Sequence, residues 1–167
     1  FVFSAGSSDV GEGGSMFLNA GNSMQMTGGS IRIASGSSKN GHSGSIDINT
    51  GVSDSSKGSG AIQIKTGRST SGGSGSMSLV TGGSESGSSG DILLSVGSSN
   101  SGVGGNIDII SGSSSASSGG AISLISGGST SGRSGDVTIA SGKGESGSGV
   151  INFYSGASAT GSSGEVN

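Results

Sequence analysis

The residues that could do acid–base or metal chemistry in this chain are few and widely separated. His42 is the only histidine, and it lies in a stretch of serine and glycine. The carboxylates are Asp9, Glu12, Asp47, Asp54, Glu85, Asp91, Asp108, Asp136, Glu145 and Glu165. Those that share a position in the repeat described below never fall in adjacent repeats, so no pair for general acid–base catalysis is expected. We therefore predict that the chain is not an enzyme and has no catalytic, cofactor-binding or metal-binding residues.

Two segments superficially resemble the nonapeptide of calcium-binding repeat proteins, G-G-x-G-x-D-x-apolar-x. They are "GGNIDII" and "SGDVTIA". The nonapeptide recurs every nine residues, whereas this chain repeats every fifteen and its aspartates are irregular. Calcium binding is not predicted, and "GEGG" or "GVGGN" carries no phosphate-loop signal in so glycine-rich a chain.

Composition narrows the class of protein. Of 167 residues, 28% are hydrophobic, 3% aromatic and 10% charged, with 39 glycines and no proline or cysteine. The net charge of −3 argues against nucleic-acid binding, and no apolar run is long enough for membrane insertion. Such a bias toward glycine and serine is also typical of a disordered linker. Only a regular repeat would favour an ordered structure over that alternative.

A strict repeat runs through the whole chain. Its marker is Gly, any residue, apolar, any residue, apolar, and successive markers are 15 residues apart except for one spacing of 16 and one of 14. The marker glycines are Gly14, Gly29, Gly44, Gly60, Gly75, Gly90, Gly105, Gly120, Gly135, Gly149 and Gly164. A period this regular is typical of repeat architectures.

Each repeat carries two apolar positions separated by one residue, which we call the aliphatic columns. The first column is Met16, Ile31, Ile46, Ile62, Met77, Ile92, Ile107, Ile122, Val137, Ile151 and Val166. The second is Leu18, Ile33, Ile48, Ile64, Leu79, Leu94, Ile109, Leu124, Ile139 and Phe153, with Phe1 and Phe3 in the corresponding places one repeat earlier. Apolar, mixed, apolar has the period of a strand with one buried face.

The other half of each repeat is polar. Two residues after the second column comes a small residue, and then a nearly invariant glycine suited to a turn. A serine column follows at Ser23, Ser38, Ser53, Ser69, Ser84, Ser99, Ser114 and Ser129, and another at Ser71, Ser86, Ser101, Ser131 and Ser146. Whether these hydroxyls point inward or outward is left open by the pattern.

These features predict an all-β fold, a single-stranded parallel β-solenoid (β-helix) of about 15 residues per coil and about 11 coils, since adjacent repeats could pair as neighbouring strands. Residues 1–167 would form one continuous array with a thin, flattened cross-section of two sheets, one of isoleucine and leucine and one of glycine and serine. Because the columns would be buried, Ile107→Asp would disrupt at least the adjoining coils.

Neither end of the sequence looks like a capping repeat, so the array is expected to be a segment of a longer chain or filament. Open ends of a solenoid are unpaired sheet edges. The expected partners are therefore further repeats of the same chain, or other copies joined end to end.

Units such as "SGDVTIASG" and "GSSGDILLSVGSS" resemble the long glycine- and serine-rich repeats of secreted and cell-surface proteins of marine algae such as diatoms. The resemblance covers the whole chain and is compositional. It implies an extracellular or cell-surface location and a structural role in a wall, mucilage, adhesive or fibre. The chain is also similar to ice-binding solenoids with coils of this length, although it lacks their regular outward threonine pairs.

Two functions without catalysis follow from this. The first is a structural extracellular fibre, adhesive or cell-surface segment. The alternative is a module that binds ice or polysaccharide through a flat, hydroxyl-rich face.

Overall fold

A computed structural model describes all residues, 1–167, and contains no helix and no β-strand. The backbone consists of irregular segments interrupted once per repeat by a bend of two or three residues. The chain comprises two units, Phe1–Gly82 and Gly83–Asn167. No side chain is buried in either unit.

The polar half of the repeat closes on itself as a loop. In the first unit, the backbone N–H of Gly14 donates to the carbonyl of Gly6 at 2.8 Å, and the same bond joins Gly29 to Gly21 and Gly44 to Gly36. In the second unit, it joins Gly120 to Gly112 and Gly135 to Gly127, each at 2.9 Å. We call these segments glycine-closed loops. Each one links a marker glycine to the glycine eight residues before it.

The marker glycine must lack a side chain where the loop is tightest. A Cβ built on Gly14 would lie 3.0 Å from the Gly6 nitrogen and 3.1 Å from the Ala5 Cβ. By contrast, a Cβ on Gly6 would meet nothing within 4 Å. Of the two glycines, only the marker glycine must therefore lack a side chain.

Closure of the loop correlates with the residue just before it. All five closed loops follow alanine or serine: Ala5, Ala20, Ser35, Ser111 and Ser126. The four loops that follow a β-branched residue have no such bond; these residues are Thr50, Thr66, Thr81 and Val96. At Val96 the cause is visible, because its Cγ1 lies only 2.8 Å from where a Cβ of Gly105 would be. The branched side chain occupies the space into which the marker glycine would close.

Two further loops follow serine and are nevertheless open. They follow Ser141, in the repeat shortened by one residue, and Ser155, in the last repeat.

The two irregular repeats carry the two glycines with positive φ. Gly58, with φ of 80°, lies in the repeat that is 16 residues long, and Gly147, with φ of 146°, lies in the one that is 14 long. No other residue has positive φ. Glycine reaches this region at little steric cost, so the inserted or deleted residue is accommodated locally.

The predicted β-solenoid is wrong, and so is its two-sheet cross-section. Sheets require continuous ladders between strands, and the backbone makes only five backbone-to-backbone hydrogen bonds, all within single repeats. Folded proteins form about one hydrogen bond per residue. The half-repeat that was expected to be a second strand is instead the glycine-closed loop. Its local hydrogen bonds take the place of a ladder between strands. Serine side chains favour this outcome, because they hydrogen-bond to nearby backbone groups and so compete with regular secondary structure.

The predicted burial of the aliphatic columns is also wrong. Ile107 is 49% exposed, and the first column as a whole is 42–62% exposed. Burying both aliphatics of a repeat would contribute about 3–6 kcal/mol, whereas ordering fifteen residues costs about 15–30 kcal/mol. Without ladders between repeats, nothing offsets that difference within one chain.

This exposure reverses the expected effect of a charge at Ile107. In dilute solution, Ile107→Asp should leave the far-ultraviolet circular dichroism and its thermal response unchanged, because the side chain leaves no core. Ile110→Asp, at an 86% exposed position, is the matched control. A loss of ordered signal in the first variant alone would contradict the structure.

The loop rule predicts a gain of structure from a conservative change. Thr66→Ser should allow the Gly75 N–H to bond to the Gly67 carbonyl, and Ser35→Thr should open the bond from Gly44 to Gly36. A hydrogen bond contributing about 1 kcal/mol changes amide exchange about fivefold. Exchange measured by NMR should thus slow at Gly75 and accelerate at Gly44, and unchanged rates at both amides would contradict the rule.

Candidate functional site

The groups that could do chemistry remain apart in the structure. No three histidine, cysteine or acidic side chains are close enough to hold a metal ion. His42 is exposed and directly follows the bend at residues 39–41. No hydrogen bond or ion pair joins it to another group. The structure therefore assembles no reactive constellation around the histidine.

Two carboxylates have polar partners, and both partners are neighbours in sequence. Asp136 accepts a hydrogen bond from the Arg133 guanidinium at 3.0 Å, with 86% of the arginine side chain and 73% of the aspartate side chain exposed. Asp47 accepts one from the Ser45 hydroxyl at 3.3 Å. Exposed ion pairs of this kind contribute little to stability. Neither Asp108 nor Asp136, in the two calcium-like segments, belongs to a group of three possible metal ligands.

The serine column has a structural role that the sequence interpretation left open. The Ser8 Oγ accepts a hydrogen bond from the Gly11 N–H at 2.9 Å, and the Ser38 Oγ accepts one from the Gly41 N–H at 3.0 Å. The same bond, from the N–H three residues on, recurs at Ser23, Ser69, Ser84, Ser99, Ser114, Ser129 and Ser158. These serine turns hold the bend at the tip of nine of the eleven loops, as serine does in local turns. The hydroxyl oxygen faces its own backbone, and the hydroxyl hydrogen is left free to donate.

An open apolar pocket of about 370 Å³ lies in the first unit, lined by Phe3, Met16, Phe17 and Leu18. Phe3 and Leu18 are second-column residues of successive repeats, while Phe17 points between the columns. All four side chains are more than half exposed. Sites for small molecules enclose most of their ligand, and this pocket offers no such enclosure.

The aliphatic columns are the organised apolar surface of both units. The second column is 57–74% exposed, slightly more than the first. Large apolar residues that lie between the two columns or directly after the second one are 82–91% exposed; they are Val2, Phe17, Val80, Leu93, Ile110, Ile125 and Tyr154. The two column side chains of a repeat are thus better shielded than the apolar side chains that lie between them or directly after them. This is the alternation expected of one face of an extended backbone. The predicted alternation is present as partial shielding, without a core.

No protein family, characterised protein or solved structure shows significant similarity to this chain. The resemblance to algal surface repeats is therefore still a prediction. The chain contains no helix that could cross a membrane.

The serine turns were detectable in the sequence. A six-residue pattern recurs as "GSSDVG", "GSSKNG" and "GGSESG". It consists of glycine, any residue, serine, any two residues and often a second glycine. The signal is the three-residue offset between the serine and the second glycine. That offset is the spacing of a local side-chain-to-backbone turn.

Removing one serine hydroxyl should loosen one turn only. In Ser38→Ala the Gly41 N–H loses its acceptor, so its amide exchange should accelerate about fivefold for a bond of about 1 kcal/mol. Ser37→Ala, which removes a hydroxyl without a hydrogen-bond partner, serves as the control, and Ser38→Thr should restore protection. Equal exchange at Gly41 in all three variants would show that the turn does not depend on this hydroxyl.

Proposed function

We propose that this chain is a structural repeat segment of an extracellular or cell-surface fibre or adhesive, that it acts without catalysis, and that it works by self-association. The observation that carries the proposal is the amount of apolar surface that the single chain leaves in water. Every large hydrophobic residue is at least 42% exposed.

The surface area gives this a magnitude. The chain exposes 16549 Å², whereas a compact monomer of 15.5 kDa is expected to expose about 7,200 Å². The difference is several times the area that each partner contributes to a standard protein interface, about 800 Å².

The electrostatics are compatible with association between copies. Ten acidic and seven basic residues are spread over 167 positions, with a net charge of −3. Copies therefore repel one another weakly, and salt at physiological concentration screens most of that repulsion. Colloidal stability falls when net charge is this small relative to exposed apolar area.

The extracellular location rests on the compositional resemblance to algal surface proteins. It is tested by immunolabelling intact cells that make the protein. Labelling of unpermeabilised cells is the expected result, and labelling only after permeabilisation would contradict it.

Binding to ice or polysaccharide is not carried further, because no observation favours it. That alternative required serine hydroxyls spaced on a flat sheet. The structure has no sheet, and the serine column turns its oxygens toward its own loops.

The structural role predicts assembly that depends on concentration. Sedimentation velocity of the purified chain should show species heavier than the 15.5 kDa monomer that increase with protein concentration, and electron microscopy should show elongated assemblies. Moderate salt should promote assembly, because it screens charge and strengthens apolar association. A single monomeric species at every concentration and salt level would overturn the proposal.

A further inference from the structure

We infer that the partner of the aliphatic columns is a second copy of this chain, lying parallel and in register, so that equivalent repeats face one another. This rests on the proposed self-association and adds the contact surface and the alignment.

The columns are the surface with the most to gain from a partner. Their side chains lie two residues apart, and they are already shielded on one side, at 42–74% exposure. A flat partner could therefore cover two aliphatics of each repeat together. Apolar residues outside the columns, such as Leu93 and Ile125, are isolated and 87% exposed, so covering them requires a different face.

The partner must match a long and unusual spacing. It has to present apolar pairs at intervals of 15 residues, over eleven repeats, along an irregular backbone. A second copy meets this requirement because it has the same sequence and therefore the same spacing of apolar pairs. The area is sufficient, because the 21 column side chains, at 42–74% exposure, present more than the roughly 800 Å² that one partner contributes to a standard interface.

The irregular repeats select the alignment. The spacing is 16 between Gly44 and Gly60 and 14 between Gly135 and Gly149. With no offset, both irregularities coincide in the two copies and every column residue meets its equivalent. A slip by one repeat misaligns one repeat at the insertion and another at the deletion, and a one-residue misalignment exchanges the two faces of an extended segment. An antiparallel arrangement also misaligns them, since the order of the two irregularities is reversed.

The contact surface is tested with two sets of four substitutions in the full chain. The column set is Ile31→Ser, Ile46→Ser, Ile107→Ser and Ile122→Ser. The control set is Val80→Ser, Leu93→Ser, Ile110→Ser and Ile125→Ser, which removes four aliphatic side chains from 82–87% exposed positions. Neither set removes a core, because no residue is buried.

Sedimentation equilibrium should give a dissociation constant at least about a hundredfold weaker for the column set than for the unsubstituted chain. The control set should differ from that chain by less than about tenfold. If the two sets weaken association equally, the column surface is refuted while self-association stands. If the unsubstituted chain does not associate at all, the proposed function fails together with this inference.

The alignment is tested with single cysteines, which report cleanly because the chain has none of its own. Leu124 and Ile139 are both second-column residues, one repeat apart. A short bismaleimide should crosslink Leu124→Cys to itself, and likewise Ile139→Cys. In an equimolar mixture, with the two variants distinguished by mass, only like-with-like crosslinks are expected. Mixed crosslinks at comparable yield would show a slip by one repeat, and no crosslink at either site would refute the parallel alignment.

Discussion

The hydrogen bond between two glycines eight residues apart is the constraint on which the local structure depends. It requires a marker glycine without a side chain and a small residue before the first glycine. It also requires a bend at the tip, which the serine hydroxyl stabilises. Each condition involves residues within a single repeat. A repeat can therefore adopt its loop without any contribution from its neighbours, which separates this chain from architectures in which one repeat is stable only against the next.

The same locality explains why the chain has no core. The loop uses the polar half of the repeat, and its hydrogen bonds are satisfied within about nine residues. The aliphatic half is left as a short extended segment whose column side chains remain 42–74% exposed. Apolar burial is the dominant favourable term in folding, and here it is largely unrealised. The sequence nevertheless keeps two aliphatics in every repeat, a regularity that the loops alone do not require.

Several features could be predicted from the sequence, and they are those set by neighbours in sequence. The 15-residue unit, the glycine corners and the alternation around residues such as Ile31 and Ile33 all correspond to observed local features. The solenoid could not be predicted correctly, because periodicity is equally compatible with stacking on the next repeat and with closure inside one repeat. The deciding detail was the side chain at positions such as Ser35 and Thr66. Both were assigned to one column of small residues, although the extra methyl group of threonine accompanies an open loop and serine a closed one.

The loops are not all alike, and closed and open loops are grouped along the chain. Closed loops occupy the first three repeats of the first unit and two repeats of the second, and the β-branched residues from Thr50 to Val96 lie between them. A closed loop draws its flanking aliphatic segments to one short backbone bridge, whereas an open loop leaves them free to adjust. The 16-residue repeat that contains Gly58 thus lies in a segment whose loops lack the closing bond. When two copies are aligned from the N-terminus, the 16-residue repeat is the first place where their spacing can differ. The open loops therefore lie where the backbone would have to adjust to keep the columns aligned.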